Sequence, residues 1–374
     1  MIIVIADDIT GAAEIAGVAL RYGLNTTLTI GYADVPKAKD VWVIATDTRS
    51  ENENKATGTV KQIAEKLPIA GNIIFKKTDS VLRGHIVAEL KTLMCTLGYK
   101  RVLFLPQNPT KGRIIKDGNY YINNIPLSDT DFSFDPEFPA KSSSVIDVLG
   151  NDACLVFLPY AVTNTKQNAI YIAEASNQEQ VETQLNKIDN GFILAGGADL
   201  FETLLKKMFR YKKMNGRPKD KIFPKCYSII VCGSTQSGNI LKHDFADMAG
   251  TCVVAVSSEI VEKGIDNDWI MSLVMLYNEH KSLAVISGER ENRGAVYAVK
   301  LRSIMAETVK RLVAVRQPDQ LIIEGGATAY AVVKSMGWNN FDLVAEYAPG
   351  IVGMSYRMTE VILKPGSYSW GKIL

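Results

Sequence analysis

Ile2-Ile3-Val4-Ile5-Ala6-Asp7-Asp8-Ile9-Thr10-Gly11-Ala12-Ala13-Glu14 is the stretch that decides how this chain folds. A short apolar run, too short for a helix, ends in two adjacent carboxylates. A Thr-Gly pair and a helix-forming stretch follow. The pattern predicts a buried strand that delivers Asp7 and Asp8 to the carboxyl edge of a parallel sheet, the edge at which open α/β sheets bind ligands. Desolvating two charges costs free energy unless a partner or substrate compensates, so the pair points to a binding site. The plainer alternative is local: Asp8 or Thr10 caps the helix that starts near Gly11.

The same pattern recurs along the chain. Candidate strands are Ile2–Ala6, Val41–Ala45, Ile73–Phe75, Val102–Leu105, Leu155–Leu158 and Phe192–Ala195, then Ser228–Val231, Cys252–Val256, Leu283–Ile286, Leu321–Ile323 and Val361–Leu363. Helical stretches lie between them, which predicts an α/β fold with mostly parallel sheets flanked by helices. The clearest helix repeats Ile86, Leu90, Leu93 and Leu97 and ends at Gly98. A length of 374 residues exceeds the roughly 250–300 at which single cores stop growing. Two domains are therefore expected, residues 1–205 and 226–374, joined by a linker at 206–225 that is dense in Lys and Arg and broken by Gly216 and Pro218.

Composition excludes several classes. Hydrophobic residues make up 47% and charged residues 22%, as in an ordinary globular protein. A net charge of +2 gives no global attraction to nucleic acid. The basic linker, with few aromatics, is better read as a solvated helix end than as a nucleic-acid patch. No apolar run approaches the ~20 residues of a membrane span. Entering a strand at once leaves no signal peptide to expect. The cysteines, Cys95, Cys154, Cys226, Cys232 and Cys252, are odd in number and lack a C-x-x-C spacing, which argues against disulfides and zinc and for a reduced, cytoplasmic setting. The three histidines, His85, His243 and His280, give little support to a multi-histidine metal site or a Ser-His-Asp triad.

Three further strand ends carry chemistry. Thr46-Asp47-Thr48-Arg49-Ser50 follows the second candidate strand, with a surface Asp47–Arg49 ion pair as the bland reading. Lys76-Lys77-Thr78-Asp79-Ser80-Val81-Leu82-Arg83-Gly84-His85 follows the third; Asp79 or Ser80 could cap the next helix, but Lys77, Asp79 and Arg83 together exceed what a cap needs. Gly112-Arg113 lies in Pro106–Ser144, a proline-rich segment of weak periodicity apart from a short hairpin around Asn119–Ile125, and an exposed loop arginine is its alternative. Guanidinium groups suit carboxylates because their fork binds two oxygens. One pocket for a small, anionic, hydroxylated molecule follows. In the second half, Cys232-Gly233-Ser234 and Glu324-Gly325-Gly326-Ala327-Thr328 each link a strand to a helix with small residues, which suits phosphate. Gly366-Ser-Tyr-Ser-Trp-Gly371-Lys372-Ile373 lacks the Ser or Thr and the following helix of a P-loop, although Gly366 can still border a nucleotide.

Taken together, Ala6-Asp7-Asp8-Ile9-Thr10-Gly11-Ala12, Asp47-Thr48-Arg49-Ser50, Lys77–Gly84, Gly112-Arg113 with Gly118, Gly233-Ser234, Gly325–Ala329, Pro349-Gly350 and Lys364-Pro365-Gly366 resemble the four-carbon acid sugar kinase family, which includes threonate, erythronate and 3-oxo-tetronate kinases. The resemblance implies an amino-terminal acid-sugar domain, a carboxy-terminal ATP domain and an active site in the cleft between them. ATP would contact Ser234, Gly325, Gly326, Ala327, Thr328 and Gly366, with Mg²⁺ on its phosphates. The base would be Asp8 or Asp79, with Lys77 in the catalytic set. Asp7, Asp47, Arg49, Arg83, Gly112 and Arg113 would face the sugar acid. The partner is then a small-molecule sugar acid, not nucleic acid or a membrane, and a homodimer is left open. Two departures fall in the nucleotide half: Ala327 stands where the family usually has an acidic residue, and the motif after Lys364 is longer. They motivate a second reading, a sugar-acid-binding or regulatory homologue without catalysis. A nicotinamide oxidoreductase is disfavoured, because no G-x-G-x-x-G follows a strand.

Overall fold

The computed structural model describes residues 1–135, 137–158, 168–189, 191–209, 222, 225–233, 250–288 and 294–366. The chain divides into two compact units, Met1–Asn215 and Gly216–Leu374. Most of the 206–225 linker lies outside the described residues.

The first unit runs β1 (Ile2–Ala6), α1 (Ile9–Arg21), β2 (Thr26–Ile30), β3 (Val41–Ala45), α2 (Glu53–Ala64), β4 (Ile73–Lys77), α3 (Ile86–Leu97), β5 (Arg101–Leu105), β6 (Arg113–Lys116), β7 (Asn119–Ile122), β8 (Ile125–Pro126), α4 (Val145–Val148), β9 (Leu155–Leu158), β10 (Ala169–Ala173), α5 (Gln178–Asn186), β11 (Phe192–Gly196) and α6 (Ala198–Met208). Its parallel strands lie in the order β2-β3-β1-β4-β11-β5-β10-β9. Every residue of β1 and β3 is buried, as expected of strands covered on both faces, which read as apolar runs rather than alternations. One face packs Ile3, Ile5, Trp42 and Ile44 against Val60 and Ile63 of α2 and Leu90 and Leu93 of α3. On the other, α6 packs against α1 and α5, and Phe201 meets Phe75 edge-on at 5.1 Å.

The second unit runs β12 (Ser228–Cys232), β13 (Thr251–Val256), α7 (Ser258–Lys263), α8 (Asn267–His280), β14 (Ser282–Ser287), α9 (Gly294–Val315), β15 (Gln320–Glu324), α10 (Gly326–Ser335), β16 (Asn340–Ala348), β17 (Ile351–Tyr356) and β18 (Thr359–Lys364). Strands β13-β14-β12-β15-β18 are parallel; β17 pairs antiparallel with β18 and β16. Ile230, Ile286, Ile322 and Ile362 form its core with Tyr347.

All eleven expected strands are present, most of them one or two residues longer. Others escaped the sequence. β2 is Thr-Thr-Leu-Thr-Ile, whose hydroxyls disguise a buried strand. In the proline-rich segment the hairpin expected around Asn119–Ile125 is β7-β8, and the strand that escaped is β6, which completes a three-stranded sheet with it.

Candidate active site

Strand register builds the site in the first unit. Ala6 pairs with Ala45 on one side and Lys77 on the other, Lys77 with Gly196, and Gly196 with Leu105. Five strands therefore stop on one line, and the residues that follow them share an edge. The chain builds outward from β1 to β3 on one side and to β4 on the other, so Asp7 and Asp8 leave the sheet at its topological switch point, where such sheets bind ligands.

Arg49 organises the acidic side of this edge. Its Nε and Nη2 donate to the two carboxylate oxygens of Asp7 at 2.8 and 3.0 Å. Nη1 donates to Asp8 Oδ2 at 3.0 Å and lies 3.5 Å from Asp79 Oδ1. Asp8 is also the cap expected of it: its Oδ1 accepts from the Gly11 N–H at 2.8 Å. A Cβ at Gly11 would stand 2.6 Å from that oxygen, so a larger residue there would have to displace the capping carboxylate. Asp79 does not cap a helix, because α3 begins only at Ile86 with His85 at its N-cap. Instead the 78–85 loop folds onto Asp79, which accepts from the backbone N–H groups of Val81 and Arg83 and, at 2.9 and 3.0 Å, from the Arg83 guanidinium. Arg83 also donates to Asp135 at 3.1 Å. Burial opposes ionisation of Asp8 and Asp79. Together, Arg49 and its neighbours outweigh it, with Thr10 and Lys77 adding at Asp8 and Arg83 and Lys77 at Asp79, so both carboxyls are held below their ordinary range.

A second set of cations faces them. Lys77 Nζ donates to the Thr78 carbonyl at 2.9 Å and lies 3.4 Å from Glu14, which also receives Lys111. Burial would raise the Glu14 carboxyl, but Lys77 and Lys111 hold it low. Gly112 adopts φ +67°, and a Cβ there would meet Asn123 Oδ1 at 2.1 Å. This tight turn launches β6, whose first residue, Arg113, donates to the Ser80 hydroxyl. Asp199 anchors the turn by accepting from the Thr110 N–H and hydroxyl at 2.9 and 2.7 Å. Asp47 sits at φ +54°, partly buried, between Thr46 and Thr48.

In the second unit, Cys232 pairs with Glu324, and Glu324 with Lys364, so β12, β15 and β18 also end on one line. Gly233, Gly325 and Gly366 follow them closely. Gly325, at φ +96°, caps α10 without a side chain, leaving the N–H groups of Gly326, Ala327 and Thr328 for another acceptor such as phosphate. A Cβ on Gly233 would stand 2.0 Å from Thr328 Oγ1, so the two turns meet closely. Beneath them Lys364 and Glu324 form a buried pair at 3.4 Å. Ala327 is exposed, and Ser234 lies outside the described residues. Among the described residues no group of three His, Cys, Asp or Glu side chains forms a metal cage. Mg²⁺ brought in on nucleotide phosphates needs only one or two carboxylates besides water.

Residues 2–194 match the family model described as a sugar-binding N-terminal domain, and residues 245–368 the one described as a nucleotide-binding C-terminal domain. The chain belongs to the four-carbon acid sugar kinase family. It is 23% identical to the D-threonate kinase of Salmonella typhimurium over 98% of this chain and 95% of that protein. It is 28% identical to the D-erythronate kinase of Heliobacterium modesticaldum, over 48% and 42% of the two chains. The 3-oxo-tetronate kinase of Pectobacterium atrosepticum is 22% identical over 98% and 95%. Crystal structures of proteins from Salmonella typhimurium LT2 and Haemophilus influenzae share the fold, with TM-scores of 0.79 and 0.75 at 20% and 18% identity. They cover 98% of this chain and 96% and 97% of their own.

Within this kinase-family chain several side chains at the edge were not picked out as candidates from the sequence: Glu14, Lys76, Ser80, Glu89, Lys111 and Asp199. Glu14 carried a signal, one helical turn beyond Gly11 on the helix that opens at Asp8, and Lys76 and Ser80 stood in the Lys76–His85 stretch already singled out. The others depend on contacts between distant segments. Among the described residues no helix is long and apolar enough to cross a membrane.

Proposed function

We propose that this protein transfers the γ-phosphoryl group of ATP to a hydroxyl of a four-carbon sugar acid. The observation that carries this reading is the edge of the first unit, where ionised Asp8 and Asp79 surround Arg49 while Arg113, a second guanidinium, spends its bond on the neutral Ser80 hydroxyl. Arg49 and Arg83 are engaged by aspartates. Arg113 is therefore our choice for the substrate carboxylate, with Ser80 as a neighbouring hydroxyl partner.

Asp8 or Asp79 would accept the hydrogen bond of the attacking hydroxyl. Their lowered pKa makes them weak bases, which suits phosphoryl transfer: its loose transition state demands orientation and charge compensation more than early proton removal. Lys77 would steady the incoming phosphoryl oxygens, with Glu14 fixing its ammonium. Gly325, Gly326, Ala327 and Thr328 would present backbone N–H groups to the ATP phosphates, and Gly366 would border them.

An ADP-release assay with Mg-ATP and a panel of four-carbon sugar acids tests the reading. Turnover of at least one acid, reduced about 100-fold or more by Asp8→Asn or Asp79→Asn, is expected. No turnover of any acid, combined with thermal stabilisation by one of them and none by Mg-ATP, would establish the non-catalytic binder instead.

A further inference from the structure

Beneath the edge lies a buried polar chain that no substrate would reach. Lys76, fully buried on β4, places Nζ 2.6 Å from Glu89 Oε2. Glu89, 2% exposed in the first turn of α3, receives the Thr48 hydroxyl on its other oxygen at 2.5 Å. With the Thr48 proton on Glu89, the Thr46 hydroxyl shares its one proton between Thr48 Oγ1 at 2.8 Å and the Ala6 carbonyl at 2.9 Å, and the Thr46 N–H donates to that same carbonyl at the end of β1. These bonds bracket Asp47, a non-glycine residue in the left-handed region at φ +54°. Such a conformation persists only when its surroundings over-determine it. Arg49 follows directly after Thr48, and its own N–H donates to the Asp7 carbonyl at 3.2 Å.

We propose that Glu89 is a positioning residue: through Thr48 it locks the turn at Asp47 and so aims the Arg49 guanidinium at Asp7, Asp8 and Asp79. A buried pair that existed only for stability would be a poor choice, since hydrophobic replacements of such pairs are often neutral or better. Here the carboxylate uses one oxygen on Lys76 and the other on the turn. Removing the charge of either partner alone would strand the other, so the informative variants are Thr48→Val, which cuts the link between Glu89 and the turn, and the double variant Lys76→Met/Glu89→Leu, which leaves neither a stranded charge nor an acceptor for Thr48.

The catalytic part of the test rests on the kinase reading. If wild type turns over no sugar acid, that reading fails first, and the present inference is then judged by binding of the sugar acid that stabilises the protein. In wild type the depressed Asp8 and Asp79 carboxyls place the acid limb of kcat/KM at low pH. Expected for Thr48→Val is a fall in kcat of about tenfold, an acid limb moved up towards pH 4, and little further loss when Arg49→Lys is added. The double variant should behave in the same way and keep its folded far-UV spectrum. A lowered Tm with kcat, KM and acid limb unchanged would overturn the proposal, as would effects of Thr48→Val and Arg49→Lys that simply multiply. With a binding readout alone, Kd weakened about tenfold by Thr48→Val supports the proposal, and an unchanged Kd overturns it.

Discussion

At the scale of single residues, the site is a balance of charges rather than a row of free ligands. Read locally, Arg49, Arg83 and Arg113 were equivalent candidates for a substrate carboxylate. Their pairings across 42 and 52 residues of sequence separate them. No local pattern encodes such partners, which is why the acidic half of the site was legible and its wiring was not. One consequence is acid sensitivity. Asp8 and Asp79 have folded-state pKa values below those of the unfolded chain. Their contribution is therefore fully present above about pH 4 and lost as pH falls through the lower, folded values. In urea unfolding at a series of pH values, wild type should lose stability steeply below about pH 4. Asp79→Asn should be about 3 kcal/mol less stable at pH 7, because two guanidiniums lose a buried partner. It should also show an acid slope shallower by up to one proton, about 1.4 kcal/mol per pH unit. Equal slopes in the two proteins would mean that Asp79 titrates normally in the fold.

At the scale of elements, strand ends were the most readable feature and the most useful one. A run such as Ile2–Ala6 or Val41–Ala45 is apolar because both faces are covered, and the first charged residue after it marks the sheet edge. Register then places those edges side by side, something periodicity alone cannot supply. The β6-β7-β8 sheet was harder, since its strands are two to four residues long and interrupted by turns. Its position depends on Gly112, which turns the chain between Lys111 and Arg113. Gly112→Ala would force an L side chain into φ +67° and against Asn123. We expect a loss of about 1–3 kcal/mol from overpacking and strain. A several-fold rise in KM for the sugar acid should accompany it as Arg113 shifts, with KM for ATP unchanged. Steady-state kinetics with each substrate varied in turn checks this. A rise confined to ATP would detach the hairpin from the sugar-acid site.

At the scale of the whole molecule, two compact units carry two different chemistries. The first concentrates ionised side chains at its strand ends. The second presents glycine turns and a helix N-terminus. If the first unit takes the sugar acid and the second the nucleotide, as proposed, the two ligands should be separable by substitution. A ligand at 100 times its Kd stabilises the state that binds it by roughly 2.7 kcal/mol. If Arg113 takes the substrate carboxylate as proposed, Arg113→Ala would remove a charge-assisted contact worth about 1.5–3 kcal/mol, a factor of roughly 10 to 100 in affinity. It should erase most of the thermal shift given by the sugar acid and leave the Mg-ATP shift intact. Gly233→Ala drives a methyl group into Thr328 at the turn that opens α10, so it should do the reverse. Differential scanning fluorimetry of both variants with each ligand gives four shifts, and the pattern matters more than any one of them. Loss of the ATP shift in Arg113→Ala, or of the sugar-acid shift in Gly233→Ala, would show that neither ligand belongs to one unit alone. Recognition of the acid and recognition of the phosphates would then have to be treated as a single event.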